Sequence, residues 1–260
     1  MTRGTTSYKN ISLSYLIEGQ GDTIVLLHGF LESALMWQYI SPVLSQNHQV
    51  IAIDLLGHGE TPCLDPLHSM DDMADAVHAV LVDLAIERAI FIGHSMGGYV
   101  ALSLAEHYSE SIERIILVAS TTQEDNDQRK HNRDRAIELV KKNSNVFVTM
   151  AINNLFLDEI RPSITKEIEE YKKEALKVST EGIIAALKGM KDRPNRESIL
   201  YTSSFPIHAI LGTLDSIMPI EETIQQYNDA AIDTHLIPAG HMLHIEKKDD
   251  LLQAILQCIN

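Results

Sequence analysis

Residues 90–98 read IFIGHSMGG, and the reading of this stretch decides the fold. An apolar run ends at Gly93, Ser95 stands between Gly93 and Gly97, and MGGYVALSLAEHY (96–108) follows with the composition of a helix. G-x-S-x-G at a strand-to-helix junction puts its serine on a sharp, strained bend, with the hydroxyl exposed above the sheet. Glycine suits positions 93 and 97 because side chains there would collide with the bend or the next strand. A glycine-rich turn with an ordinary N-capping serine is the plainer alternative, and the flanking strand and helix weigh against it.

Working outward, TIVLL (23–27) is a continuous apolar run and YKNISLSYLI (8–17) a partly alternating one, both of strand type. Further short runs at 49–53, 89–93, 114–119, 206–211 and 234–237 suit a parallel sheet covered on both faces. Met73, Ala76, Val77, Val80, Leu81 and Leu84 recur at helical spacing after Ser69, an N-cap candidate. Strands alternating with helices predict an α/β fold, a mostly parallel β-sheet flanked by helices. The alternation stops near residue 121 and resumes near 205. Between them lie only helical candidates, about 132–142, 145–157, 163–178 and 180–191. The expected organisation is a core domain of residues 1–121 and 205–260 with a helical insertion of residues 122–204. The insertion opens on the charged run QEDNDQRKHNRDR (123–135), which reads as a solvated face.

Composition narrows the partners. The 260 residues are 45% hydrophobic, enough for a sizeable core, with no apolar stretch near the roughly 18 residues of a membrane span. MTRGTTSYKN (1–10) has no apolar run after its arginine, so the expectation is a cytoplasmic protein without secretory signal or anchor. Cys63 and Cys258 lack metal-like spacing and read as free thiols. A formal net charge of −15 opposes nucleic acid and anionic membrane, leaving small-molecule partners. Nothing in the sequence sets the oligomeric state.

A serine is a poor nucleophile without a base, and the base needs an orienting acid. FPIHAILG (205–212) runs into TLDSIMP (213–219), leaving Asp215 on the loop after a strand. THLIPAGHMLHIE (234–246) then puts His241 after a strand and a Pro-Ala-Gly turn. The order Ser, Asp, His is the one this strand-turn-helix scaffold uses. His244 competes with His241. With twelve histidines, none is a signal by itself. His28, His58 and His94 read as structural groups beside the turns they flank, and His208 as a satisfied core residue. Asp54 precedes the serine and is expected to brace the glycine turn after it. Ser120, Thr121 and Thr122, where the acid could otherwise stand, include no carboxylate. Two backbone N–H groups must face the developing oxyanion. Met96, directly after the serine, supplies one; LLHGF (26–30) offers Phe30 for the other. HMLH (241–244) lacks further ligands, so no metal and no cofactor are expected.

HGF (28–30), DLLGHGET (54–61), GHSMGG (93–98), LGTLDSIMP (211–219) and GHMLHIE (240–246) together resemble the α/β-hydrolase fold superfamily. The resemblance implies nucleophile, acid and base at Ser95, Asp215 and His241, oxyanion donors at Phe30 and Met96, and a helical cap after the sixth core strand. Haloalkane dehalogenases and epoxide hydrolases of that superfamily carry aspartate where Ser95 stands. Carboxylesterases, lactonases, thioesterases and C–C bond hydrolases remain, with carboxylesterase favoured. The expected function is a serine hydrolase cleaving carboxylic esters of small, mainly uncharged molecules through an acyl-enzyme. A non-catalytic ligand receptor on the same fold is the alternative of another class. Within NVFVTMAINNLFL (145–157) Phe147, and after the oxyanion turn Leu31, Met36 and Trp37, are the apolar candidates for the pocket. They predict a mostly apolar site that excludes strongly anionic groups.

Overall fold

In the computed structural model, which describes residues 1–259, the apolar runs form the centre of one sheet. Its strands are β1 (Thr2–Tyr8), β2 (Ile11–Glu18), β3 (Thr23–Leu27), β4 (Gln49–Ile53), β5 (Ala89–His94), β6 (Ile112–Val118), β7 (Ile207–Gly212) and β8 (Asp233–Ile237). They lie in the order β1-β2-β4-β3-β5-β6-β7-β8. β1–β2 and β2–β4 pair antiparallel and the rest parallel. Side chains alternate across β3: Val25 and Leu27 enter one core layer, Ile24 and Leu26 the other. Both faces are therefore covered, and all of β3 is buried.

The expected strand over 8–17 is instead the second arm of a hairpin. Lys9, at φ 47°, and Asn10 turn the chain between Tyr8 and Ile11, which pair. A two-residue hairpin needs such positive φ. His208 is not core: it stands half-buried on β7, between Arg114 at 2.8 Å and Asp233 at 3.3 Å. The Met70–Asp83 helix starts at Ser69 through a capping box with Asp72. Met96–His107 follows β5 directly, its first ten residues buried.

Between β6 and β7 the chain is helical: Asp127–Asn154, Thr165–Ala175, Thr180–Lys191 and the short Ile199–Thr202. The first of these breaks at Asn143 (φ −163°, ψ 95°), whose Oδ1 accepts from Val146 N–H at 3.1 Å and so caps the second arm. This insertion meets the core backbone to backbone. A Cβ on Gly182 would strike the carbonyl of Gly57, and one on Gly189 that of His68. Among the described residues no helix is long and apolar enough to cross a membrane, and Cys63 and Cys258 are free.

Candidate active site

Ser95 sits between β5 and its helix at φ 50°, ψ −113°, a conformation an L-residue adopts only under constraint. The constraint is visible on both sides. Its N–H donates to Val118 O at 2.9 Å, and Ser120 Oγ donates to its carbonyl at 2.9 Å. A Cβ on Gly93 would lie 2.6 Å from Gly98 N, and one on Gly97 2.8 Å from His28 O. The absence of side chains lets the helix start press against β5 and the turn after β3.

The Ser95 hydroxyl lies 3.1 Å from His241 Nε2, and His241 Nδ1 donates to Asp215 Oδ2 at 2.8 Å. Asp215 Oδ1 accepts from the N–H groups of Ile217 and Met218 at 2.8 and 2.9 Å. Burial opposes ionisation of Asp215, but His241 and these N–H groups outweigh it and hold its pKa below the ordinary carboxylate value. All three residues come from loops at the carboxyl ends of β5, β7 and β8. His244 lies elsewhere: fully buried, 3.4 Å from Glu32 Oε1, its pKa pushed down to about 4 by burial.

Glu32 has no place in the sequence reading, yet it ties the turn after β3 to the serine and histidine loops. Its Oε2 accepts from Gly29 N–H at 2.5 Å and from His94 Nδ1 at 2.8 Å, while His94 Nε2 donates to His241 O at 3.1 Å. Both nitrogens of His94 face acceptors, the arrangement of an imidazolium. Against the desolvation of burial, the Glu32 carboxylate raises the His94 pKa. In the same turn His28 donates to Gly29 O and accepts from Leu55 N–H at 2.9 Å. Leu31 is held at φ 63°. Phe30 lines the cavity at Ser95; Met96 opens a helix, so its N–H is one of the donors a helix start leaves free. Asp54 braces the following turn, accepting from Ala34 N–H at 2.8 Å and Glu60 N–H at 3.1 Å.

Sequence comparison matches residues 22–248 to the model of the alpha/beta hydrolase fold. The chain belongs to the α/β-hydrolase fold family. It is similar to the solved structure of a thermophilic esterase from Thermogutta terrifontis with malate bound: 28% identity, 100% of this chain and 98% of that one covered, TM-score 0.92. A pimeloyl-[acyl-carrier protein] methyl ester esterase of Vibrio atlanticus is 26% identical over 81% of this chain and 83% of its own. An uncharacterised protein of Mycobacterium tuberculosis is 36% identical over 107 residues, 41% of this chain. The chain spans only 31% of that mycobacterial protein's length.

On this α/β-hydrolase scaffold Ser95 and His241 open into a cavity of about 110 Å³. Leu31, Glu32 and Tyr171 separate it from an outer cleft of about 320 Å³, which Met36 lines. Trp37, expected at the pocket, is fully buried in the opposite core layer with Leu26 and Ile90, because the turn after β3 carries it under the sheet. Phe147 is also absent from the cavity wall: it packs half-buried against the core, while Ala151 and Leu155 one and two turns on reach the cavity. The expectation of a pocket hostile to anions fails at Arg129 and Arg133, which line it. Both belong to the run read as a solvated face. A charge run shows its composition and leaves open which turn of the helix faces the protein. Glu32, His94 and His244 bring one potential ligand atom each within 4.8 Å of the others. Glu32 Oε2 and both His94 nitrogens are already spent on hydrogen bonds, so the cluster is built as a brace.

Proposed function

We propose that the chain is a serine hydrolase that cleaves short carboxylic esters through an acyl-enzyme. The observation that carries this reading is the unbroken hydrogen-bond chain from Ser95 through His241 to Asp215. His241 Nε2 takes the Ser95 proton as Oγ attacks the carbonyl carbon, and Asp215 stabilises the imidazolium that forms. The N–H groups of Phe30 and Met96 hold the oxyanion, each contributing about 3 kcal/mol. The C–O bond then breaks, His241 returns the proton to the departing alcohol, and water repeats the route to release the acid. The helices of residues 122–204 act as a cap that excludes bulk water during acyl transfer. No step draws on a metal or organic cofactor, and the site of action is the cytoplasm.

The ester-hydrolase names of the Thermogutta and Vibrio relatives support this reading. Intact-mass and peptide mapping after fluorophosphonate treatment test it, together with turnover of p-nitrophenyl acetate. A single adduct on residues 90–100 and multiple turnovers are expected; labelling elsewhere, or wild-type activity in Ser95→Ala, would refute it.

A further inference from the structure

Among the described residues that line it, the cavity at Ser95 has more cations than carboxylates, on a chain of net charge −15; the carboxylate of Asp215 stands behind its wall, held by His241. Two guanidinium groups, Arg129 and Arg133, form part of its wall, and Glu32 is the one carboxylate among its described lining residues. Glu32 is already engaged by His94 and Gly29 N–H. Behind the wall, the buried Asp125 answers two cations at once, Arg133 and Arg193. Arg193 lies 4.1 Å from the centre of the Tyr99 ring, itself part of the wall. One carboxylate cannot neutralise both.

The cavity arginines also retain donors. Arg133 turns Nε and Nη2 toward Asp125, and its Nη1 meets only the sulfur of Met190 at 3.5 Å, a weak acceptor. Arg129 donates through Nη2 to Ile217 O at 3.0 Å; its nearest carboxylate, Glu222, is 3.7 Å away and 64% exposed, where water screens it. A hydrocarbon chain entering this space would cover guanidinium donors without replacing their water, which is unfavourable. A carboxylate would accept from both and match the planar fork of arginine.

We propose that Arg129 and Arg133 select esters or lactones carrying a second, free carboxylate a few carbons from the scissile carbonyl. This rests on the hydrolase reading and names its substrate class. A cavity of about 110 Å³ admits the reacting ester and a short tether, so the anion anchors the acyl carbon over Ser95. Long acyl chains exceed that space.

The test compares monomethyl succinate with methyl butyrate by proton release in a pH-stat, for wild type, Arg129→Gln and Arg133→Lys. The second variant keeps a cation beside Asp125 and so protects the fold. Wild type is expected to favour the succinate ester by about tenfold or more in kcat/KM, the scale of one charged hydrogen bond. Each variant is expected to lose most of that ratio through KM, and added salt to shrink it. Equal kcat/KM for the two esters in wild type, or a ratio untouched in both variants, overturns the proposal. Calorimetry with N-methylsuccinamate against N-methylbutyramide needs no turnover. If neither ester is cleaved but the succinamate alone binds and Arg129→Gln weakens it, the anion site stands and the hydrolase reading falls. If neither amide binds and neither ester is cleaved, both fall.

Discussion

Ser95 is kept at a positive φ by its N–H bond to Val118 O and by the Ser120 hydroxyl on its carbonyl, and its own hydroxyl has a neighbour 3.1 Å away fit to take its proton. That neighbour is His241. His244, three residues on, is turned toward Glu32 in a site where burial keeps it neutral, so the two histidines differ by environment rather than by chemistry. We expect His241→Ala and Asp215→Asn each to lower kcat on p-nitrophenyl acetate by roughly 10⁴-fold, with circular dichroism unchanged. His244→Ala should retain far more activity than His241→Ala, and the reverse ranking would transfer the base to His244. At this scale the places of Ser95, Asp215 and His241 are legible because each follows an apolar run, where a strand must stop. Glu32 was not. Its partners are Gly29, His94 and His244, and only the folded sheet brings the last two to it.

Among the elements, the contact between the Met96–His107 helix and the turn after β3 is close and rigid, because Gly97 has only backbone above it. A methyl group there would overlap the carbonyl oxygens of Leu27 and His28, which no rotamer change relieves. Gly97→Ala should therefore separate the helix start from the turn carrying Phe30. A displacement of about 1 Å between reacting groups is worth roughly 10² in rate. The expected result is a kcat loss of that order, and unchanged kinetics would show that the two elements do not need this contact. The inner strands are readable almost to the residue, since β3 and β4 are covered on both faces and are apolar after their first residues, Thr23 and Gln49. β1 was missed because an edge strand has one partner and can afford the polar TRGTTSY. Arg129 and Arg133 were missed for a related reason: helical periodicity locates a face only when apolar residues mark it, and 123–135 contains none.

For the whole molecule, the buried histidines set how stability responds to acid. Burial pushes His58 down to about 3 and His244 down to about 4, against an ordinary value near 6.5. At pH values between those limits the unfolded chain binds protons that the folded one refuses, so stability falls as pH drops below about 6.5. His94 works the other way: its raised pKa stabilises below the ordinary value, and that contribution is lost as pH rises through the folded value. Unfolding at pH 5.5 should therefore take up about two protons at these groups, measurable by calorimetry in buffers of different ionisation enthalpy. Net proton release would contradict it. A second whole-molecule property depends on the partition between the two cavities, to which the insertion contributes Tyr171. Without that ring the inner chamber and the outer cleft would form one channel, and Tyr171→Ala should raise kcat/KM for octanoyl over acetyl p-nitrophenyl esters; an unchanged ratio would mean that Leu31 and Glu32 suffice as the wall. On the proposed function, and with that outcome for Tyr171→Ala, diet and chemistry would be inherited separately. Lineages could drift from short to long acyl chains by replacing a codon in the insertion, while the codons for serine, histidine and aspartate stay under unaltered selection.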